Sequence, residues 1–174
     1  MISLPVHCQQ HPLWHISGLC LFIGLCIITR WARVSGIFIL ALWNLAGVIL
    51  HELAHLTAGI LFRAQPTNIS LIPRRTGNRW QLGTVRFARI TAINAVPVAL
   101  APLALAGSAW LVALNWFRWF PSTFTSTLVL YLAVFILLYN TLPSRQDLRV
   151  AGNWKSILLY APILTLLGIY LFRA

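Results

Sequence analysis

Residues 34–62 read VSGIFILALWNLAGVILHELAHLTAGILF, and this stretch decides both fold class and chemistry. It is apolar over a length that matches a membrane crossing. Within it lies His51-Glu52-Leu53-Ala54-His55, an HExxH pattern. Two histidines four apart stack on one helix face, and the glutamate beside them reaches water at the same metal. A glutamate inside an apolar span costs roughly 2.5–3.5 kcal/mol unless it is partnered or functional. The pattern is therefore far more specific here than in a soluble chain.

The rest of the composition agrees with a membrane chain. Of 174 residues, 59% are hydrophobic and only 9% are charged, against about 25% charged in soluble domains. No polar stretch is long enough for a separate soluble domain, so residues 1–174 read as a single membrane-embedded domain. The net charge is +11, from 13 Lys and Arg against 2 Asp and Glu. The arginines flank apolar runs, which marks them as topology determinants and anionic-lipid contacts. No basic stripe with interleaved stacking aromatics is present, so no nucleic-acid partner is expected. Cys8, Cys20 and Cys26 make neither a metal-knuckle spacing nor an even disulfide set.

Along the chain, residues 1–14 form a short polar lead without the marks of a cleavable signal peptide. His7, His11 and His15 are spaced by four, but Pro12 interrupts any helix that would align them. A membrane-surface tail is the preferred reading there, ahead of a second metal site. Apolar runs predict spans at about 15–28, 34–62, 91–117, 124–141 and 154–172. Pro97 and Pro102 lie inside the third, where kinks are tolerated if neighbours satisfy the freed backbone groups. Residues 64–90 are the one extended polar stretch. Strand-like alternation around Thr76-Gly77-Asn78 predicts a β-hairpin at the membrane surface. The expected fold is thus an all-α polytopic membrane protein. It has about five transmembrane helices and a small surface hairpin.

Five spans place the N-terminus, the 63–90 segment and the 142–153 segment on one side. That side carries Arg63, Arg74, Arg75, Arg79, Arg86, Arg89, Arg145, Arg149 and Lys155; the other carries Arg30, Arg33, Arg118 and Arg173. The positive-inside rule puts the richer side in the cytoplasm. His51 then lies roughly 15 Å from the cytoplasmic end of its span at ~1.5 Å per residue.

The acids are the sharpest clue. The two carboxylate side chains are Glu52 and Asp147. A catalytic zinc takes three protein ligands and keeps one position open. No histidine follows His55, and Ala58 and Leu61 stand where an extended HExxHxxGxxH motif needs Gly and His. Elimination leaves His51, His55 and Asp147 as zinc ligands, with Glu52 as general base. Asp147 also reads as the partner of Ser144 in a capping box that opens a short helix.

At these residues the chain resembles the site-2 protease family of intramembrane zinc metalloproteases. That family pairs HExxH on one span with an Asn-x-x-Pro…Asp motif on a later one, here Asn140, Pro143 and Asp147, and the resemblance implies a three-helix catalytic core of about 34–155. Leu148 follows Asp147 where the family pattern has Gly. The resemblance implies hydrolysis of peptide bonds in a transmembrane or membrane-tethered protein substrate within the lipid bilayer. It also implies Zn2+ on His51, His55 and Asp147, and Asn140 beside the substrate carbonyl or oxyanion. The 64–90 strands would hold an unwound substrate by strand addition. The expected setting is a bacterial cytoplasmic (inner) membrane, with the active site toward the cytoplasm. The rival reading is a catalytically degenerate membrane protein that binds metal or clamps helices; an intact Glu52 argues against it.

Overall fold

The computed structural model describes residues 3–76 and 79–173. It is mostly helical. The helices are α1 (Leu4–Gln10), α2 (Pro12–Ser35), α3 (Ile37–Trp43), α4 (Leu45–Leu61), α5 (Ala92–Ala99), α6 (Ala104–Trp119), α7 (Phe124–Tyr139), α8 (Arg145–Ala151) and α9 (Trp154–Arg173). A 3-10 turn, Ala101–Leu103, joins α5 to α6. Between α4 and α5 lie the strands β1 (Pro66–Ser70), β2 (Arg74–Thr76), β3 (Arg79–Gln81) and β4 (Thr84–Phe87).

Two helical stretches among the described residues are long and apolar enough to cross a membrane, Pro12–Ser35 and Ala92–Trp119. α2 opens with Pro at its first position, where the missing N–H costs nothing. Its 24 residues rise about 36 Å, so this helix is longer than its apolar run predicts. It ends at Gly36, whose φ of 139° is open to glycine and strained for other residues. α7 is a shorter apolar helix of 16 residues. α2 and α6 both pack on α7. Trp116 and Phe117 of α6 meet Leu130 of α7 in the core, and Trp116 Nε1 donates to the Ser126 carbonyl at 3.0 Å. Gly18 of α2 lies so close to Tyr131 that a Cβ there would collide with the ring.

The stretch 34–62 does not form one straight span. α3 and α4 meet at Asn44 with a bend of 76°. The contacts at each end place both ends of the pair at one end of the bundle. Arg33, just before α3, stacks over Tyr139 at 5.3 Å from the ring centroid. Phe62, just after α4, accepts from Asn94 at the start of the α5–α6 span through its carbonyl. Trp43 at the bend donates to Thr29 of α2 at 3.0 Å, so α3 folds back along α2. With one traverse fewer, the N-terminus lies at the other end of the bundle from the sequence expectation. His7 Nε2 is 2.7 Å from Ser122 Oγ, in the α6–α7 connection that the five-span count put across the membrane. The expected count of about five transmembrane helices is not confirmed: among the described residues two helices are long enough to cross, or up to four if the bent pairs α3–α4 and α8–α9 each form one span, with α7 a shorter apolar helix.

The prolines of the α5–α6 span leave specific groups free. Pro97 offers no N–H to the Ile93 carbonyl, and that carbonyl accepts from the Tyr160 hydroxyl of α9. Pro102 offers none to the Val98 carbonyl, which is taken by a histidine described below. The 64–90 segment is built as expected in kind. β1 pairs antiparallel with β4, Ile69 opposite Val85, and β2 pairs antiparallel with β3. Gly77 and Asn78 of the expected turn lie outside the described residues. Phe87 of β4 sits on Gly59 of α4, where a Cβ would collide with its ring, and this seats the strands beside the HExxH helix.

Candidate metal centre

α4 carries His51, Glu52 and His55. Its helical spacing puts both imidazoles on one face, ring centroids 4.9 Å apart. Glu52 and His55 are 6% and 5% exposed. Each histidine is held by a carbonyl that its own helix has left over. His51 Nδ1 is 2.8 Å from the Asn140 carbonyl, at the C-terminus of α7, where the last helical carbonyls have no intrahelical partner. His55 Nδ1 is 2.8 Å from the Val98 carbonyl, to which Pro102, four residues on, offers no N–H. A carbonyl only accepts, so both Nδ1 atoms carry the hydrogen. In the neutral rings both Nε2 atoms are then bare lone pairs.

Those lone pairs face each other at 3.2 Å. The carboxylate of Asp147 completes the group, with Oδ1 3.4 Å from His55 Nε2 and Oδ2 3.7 Å from His51 Nε2. The ligand atoms of His51, His55 and Asp147 lie within 4.8 Å of one another. Two lone pairs and an anion converge only around positive charge, a proton or a cation. Donors at ~2.0–2.2 Å from one tetrahedral ion lie about 3.3–3.6 Å from each other, and the Nε2–Nε2 separation of 3.2 Å and the nearest carboxylate oxygens at 3.4 and 3.7 Å lie close to that spacing. The residues present thus fit a metal ion held by two imidazole nitrogens and one carboxylate. Among the described residues this is the one such group.

α8 holds Asp147 through the capping box expected at Ser144. Ser144 N–H donates to Asp147 Oδ2 at 2.7 Å, and Asp147 N–H donates to Ser144 Oγ at 3.2 Å. The two readings of Asp147 are therefore one arrangement: the cap aims the carboxylate at the histidines. Leu148 lies inside α8 and is 54% exposed, so this helix has no need of glycine after the aspartate.

The group opens on a cavity of about 680 Å3, lined also by Glu52, Gly83, Asn140 and Arg33. Glu52 lies under the β3–β4 connection. A Cβ built on Gly83 would stand 2.7 Å from Glu52 Oε1. β4 lines the cavity as well. Asn140, expected beside the substrate, does line it, but both its amide hydrogens are engaged, by the Asn44 side chain and the Ile136 carbonyl. Sequence reasoning missed Val98, Gly83 and Asn44. Pro102, four residues after Val98, was the one legible sign of a spare carbonyl.

No protein-family model, curated protein or solved structure matches the chain.

Proposed function

We propose that this protein is an intramembrane zinc metalloprotease that hydrolyses peptide bonds of transmembrane or membrane-tethered proteins. One observation carries the reading: two imidazole lone pairs and a carboxylate converge in the cavity that Glu52 also lines, within a chain of apolar helices. His51, His55 and Asp147 would hold zinc, whose donor preferences suit this mixed set. Zinc, when bound there, would supply a Lewis acid for a peptide carbonyl and lower the pKa of water. Glu52 takes the proton from the attacking water and returns it to the leaving amine. The buried floor of the cavity keeps Glu52 out of bulk solvent, and the carbonyls of Asn140 and Val98 hold each histidine in the tautomer that leaves Nε2 unprotonated.

β4, whose residues 84–87 line the cavity and which pairs with β1 alone among the described residues, supports binding of an extended substrate by strand addition. A role for the Asn140 side chain toward a substrate carbonyl or oxyanion requires exchange of its Asn44 partner for substrate. Arg30 and Arg33 lie toward the same end of the bundle as the basic residues of 63–90 and 145–155. This supports an orientation in a bacterial inner membrane with the site toward the cytoplasm.

The test is zinc content together with cleavage of co-expressed single-span membrane proteins. Glu52→Gln retains zinc and loses cleavage, whereas Asp147→Ala loses both. Undiminished cleavage by Glu52→Gln contradicts the enzyme reading. Zinc binding with no cleavage by the wild type across the panel favours the binding-protein reading.

A further inference from the structure

Asn44 stands at the bend between α3 and α4, in the N-cap position of α4. Asparagine is favoured there because its side-chain oxygen accepts from an early helical N–H. In this chain the cap bond is not made. The side chain reaches across to α7 instead. Asn44 Nδ2 donates to Asn140 Oδ1 at 2.7 Å, and Asn140 Nδ2 donates to Asn44 Oδ1 at 3.1 Å. Asn140 Nδ2 also donates to the Ile136 carbonyl at 2.8 Å, one turn back. The two amides thus form a reciprocal clasp between the start of α4 and the end of α7. Gly47, three residues on, leaves the room for it: a Cβ there would collide with the Asn140 amide.

We propose that Asn44 is a positioning residue of the metal centre, acting through Asn140. The clasp fixes the last turn of α7, and the carbonyl of that turn accepts from His51 Nδ1. The line of control runs from the Asn44 amide to Asn140, from the Asn140 carbonyl to the His51 tautomer, and from there to the His51 Nε2 lone pair. A helix that gives up its own cap to bond a neighbouring helix is spending that side chain on register between the two. The register in question sets where one metal ligand points. Outer partners of metal-bound histidines act in this way generally. The inference rests on the metal reading of His51, His55 and Asp147.

The experiment measures zinc affinity of the full chain in detergent by competition with a chromophoric chelator. The cobalt(II) absorption spectrum reports coordination geometry in parallel. The variants are Asn44→Ala, Asn140→Ala, the double variant, Asn44→Asp and His55→Ala. Asn44→Ala and Asn140→Ala each weaken zinc binding about 10–100-fold and alter the cobalt spectrum. The double variant is no weaker than either single one, because both break the same clasp. Asn44→Asp, nearly isosteric, still accepts from Asn140 but cannot donate to it, and falls between wild type and Asn44→Ala. Wild-type zinc affinity and cobalt spectrum in Asn44→Asp and Asn44→Ala, or losses that multiply in the double variant, overturn the proposal. Zinc binding in His55→Ala as tight as wild type sinks the metal reading itself.

Discussion

The protein contains two close pairs of histidines, one at each end of the bundle, and they are built on opposite principles. At the α4 end each Nδ1 is spent on a backbone carbonyl, so two bare Nε2 atoms are left facing each other beside a carboxylate. At the α1 end His7 Nδ1 lies 2.8 Å from His15 Nε2, so one ring donates and the other accepts. Their remaining nitrogens meet hydroxyls, His7 Nε2 at Ser122 and His15 Nδ1 at Tyr131. That chain is satisfied with both rings neutral, and His7, fully buried, stacks on Phe117 at 3.7 Å. Proximity of histidines therefore says little about metal. What decides is whether the outer partners use up the hydrogens and leave lone pairs pointing at one another.

The largest expected effect separates the pairs directly. His55→Ala removes one of the three proposed ligands and lowers zinc affinity by more than about 100-fold, whereas His15→Ala leaves it within about twofold. Chelator competition on both variants checks this. Pro102→Ala probes the outer partner of His55: the restored N–H competes for the Val98 carbonyl. Zinc affinity falls about 10-fold, readable in the same titration. Gly83→Ala leaves zinc affinity within about twofold, since it touches no ligand and no ligand's partner. It lowers cleavage, because the new methyl displaces Glu52 or the β3–β4 connection; single-turnover rates with a membrane substrate measure the loss.

The smallest effect falls at the other pair. Burial of His7, followed by the proximity of His15 and His11, holds its pKa below the ordinary histidine value. A depressed histidine resists protonation in the fold. Its neutral form therefore supports α1 docking fully above the unfolded-state pKa, and that support is lost as pH falls below it. The neighbours are His11 and Cys8 on and beside α1, His15 on α2, Ser122 before α7 and Tyr131 on it. No carboxylate side chain lies among them, since Glu52 and Asp147 are at the other end. Acidification from pH 8 to 5 lowers the thermal midpoint by roughly 2–4 °C for each kcal/mol lost. The drop is smaller in His7→Phe.

Much of the site was legible in the sequence because it follows from scarcity. With two acids and no histidine after His55, elimination pointed to His51, His55 and Asp147, which the structure brings together as a group that could hold a metal, and Ser144 three residues before Asp147 announced the cap. The spans were less legible. Hydropathy sees an apolar run at 34–62 but not the break at Asn44, because an asparagine within such a run gives no sign of a 76° bend. That bend moved the N-terminus to the other end of the bundle. Spacing also misjudged the first histidines. Pro12 does end α1, as expected, but it also starts α2, and the turn at His11 brings His7 back onto His15. The clasp of Asn44 and Asn140 spans 96 residues and had no local signature.

X-ray absorption at the zinc edge of the purified full chain tests the central claim most directly. The account predicts one zinc per chain with two imidazole nitrogens and a carboxylate oxygen at ~2.0–2.2 Å. That signal persists in His7→Phe and is lost in Asp147→Ala. A zinc signal that survives Asp147→Ala unchanged, or that disappears in His7→Phe, contradicts it.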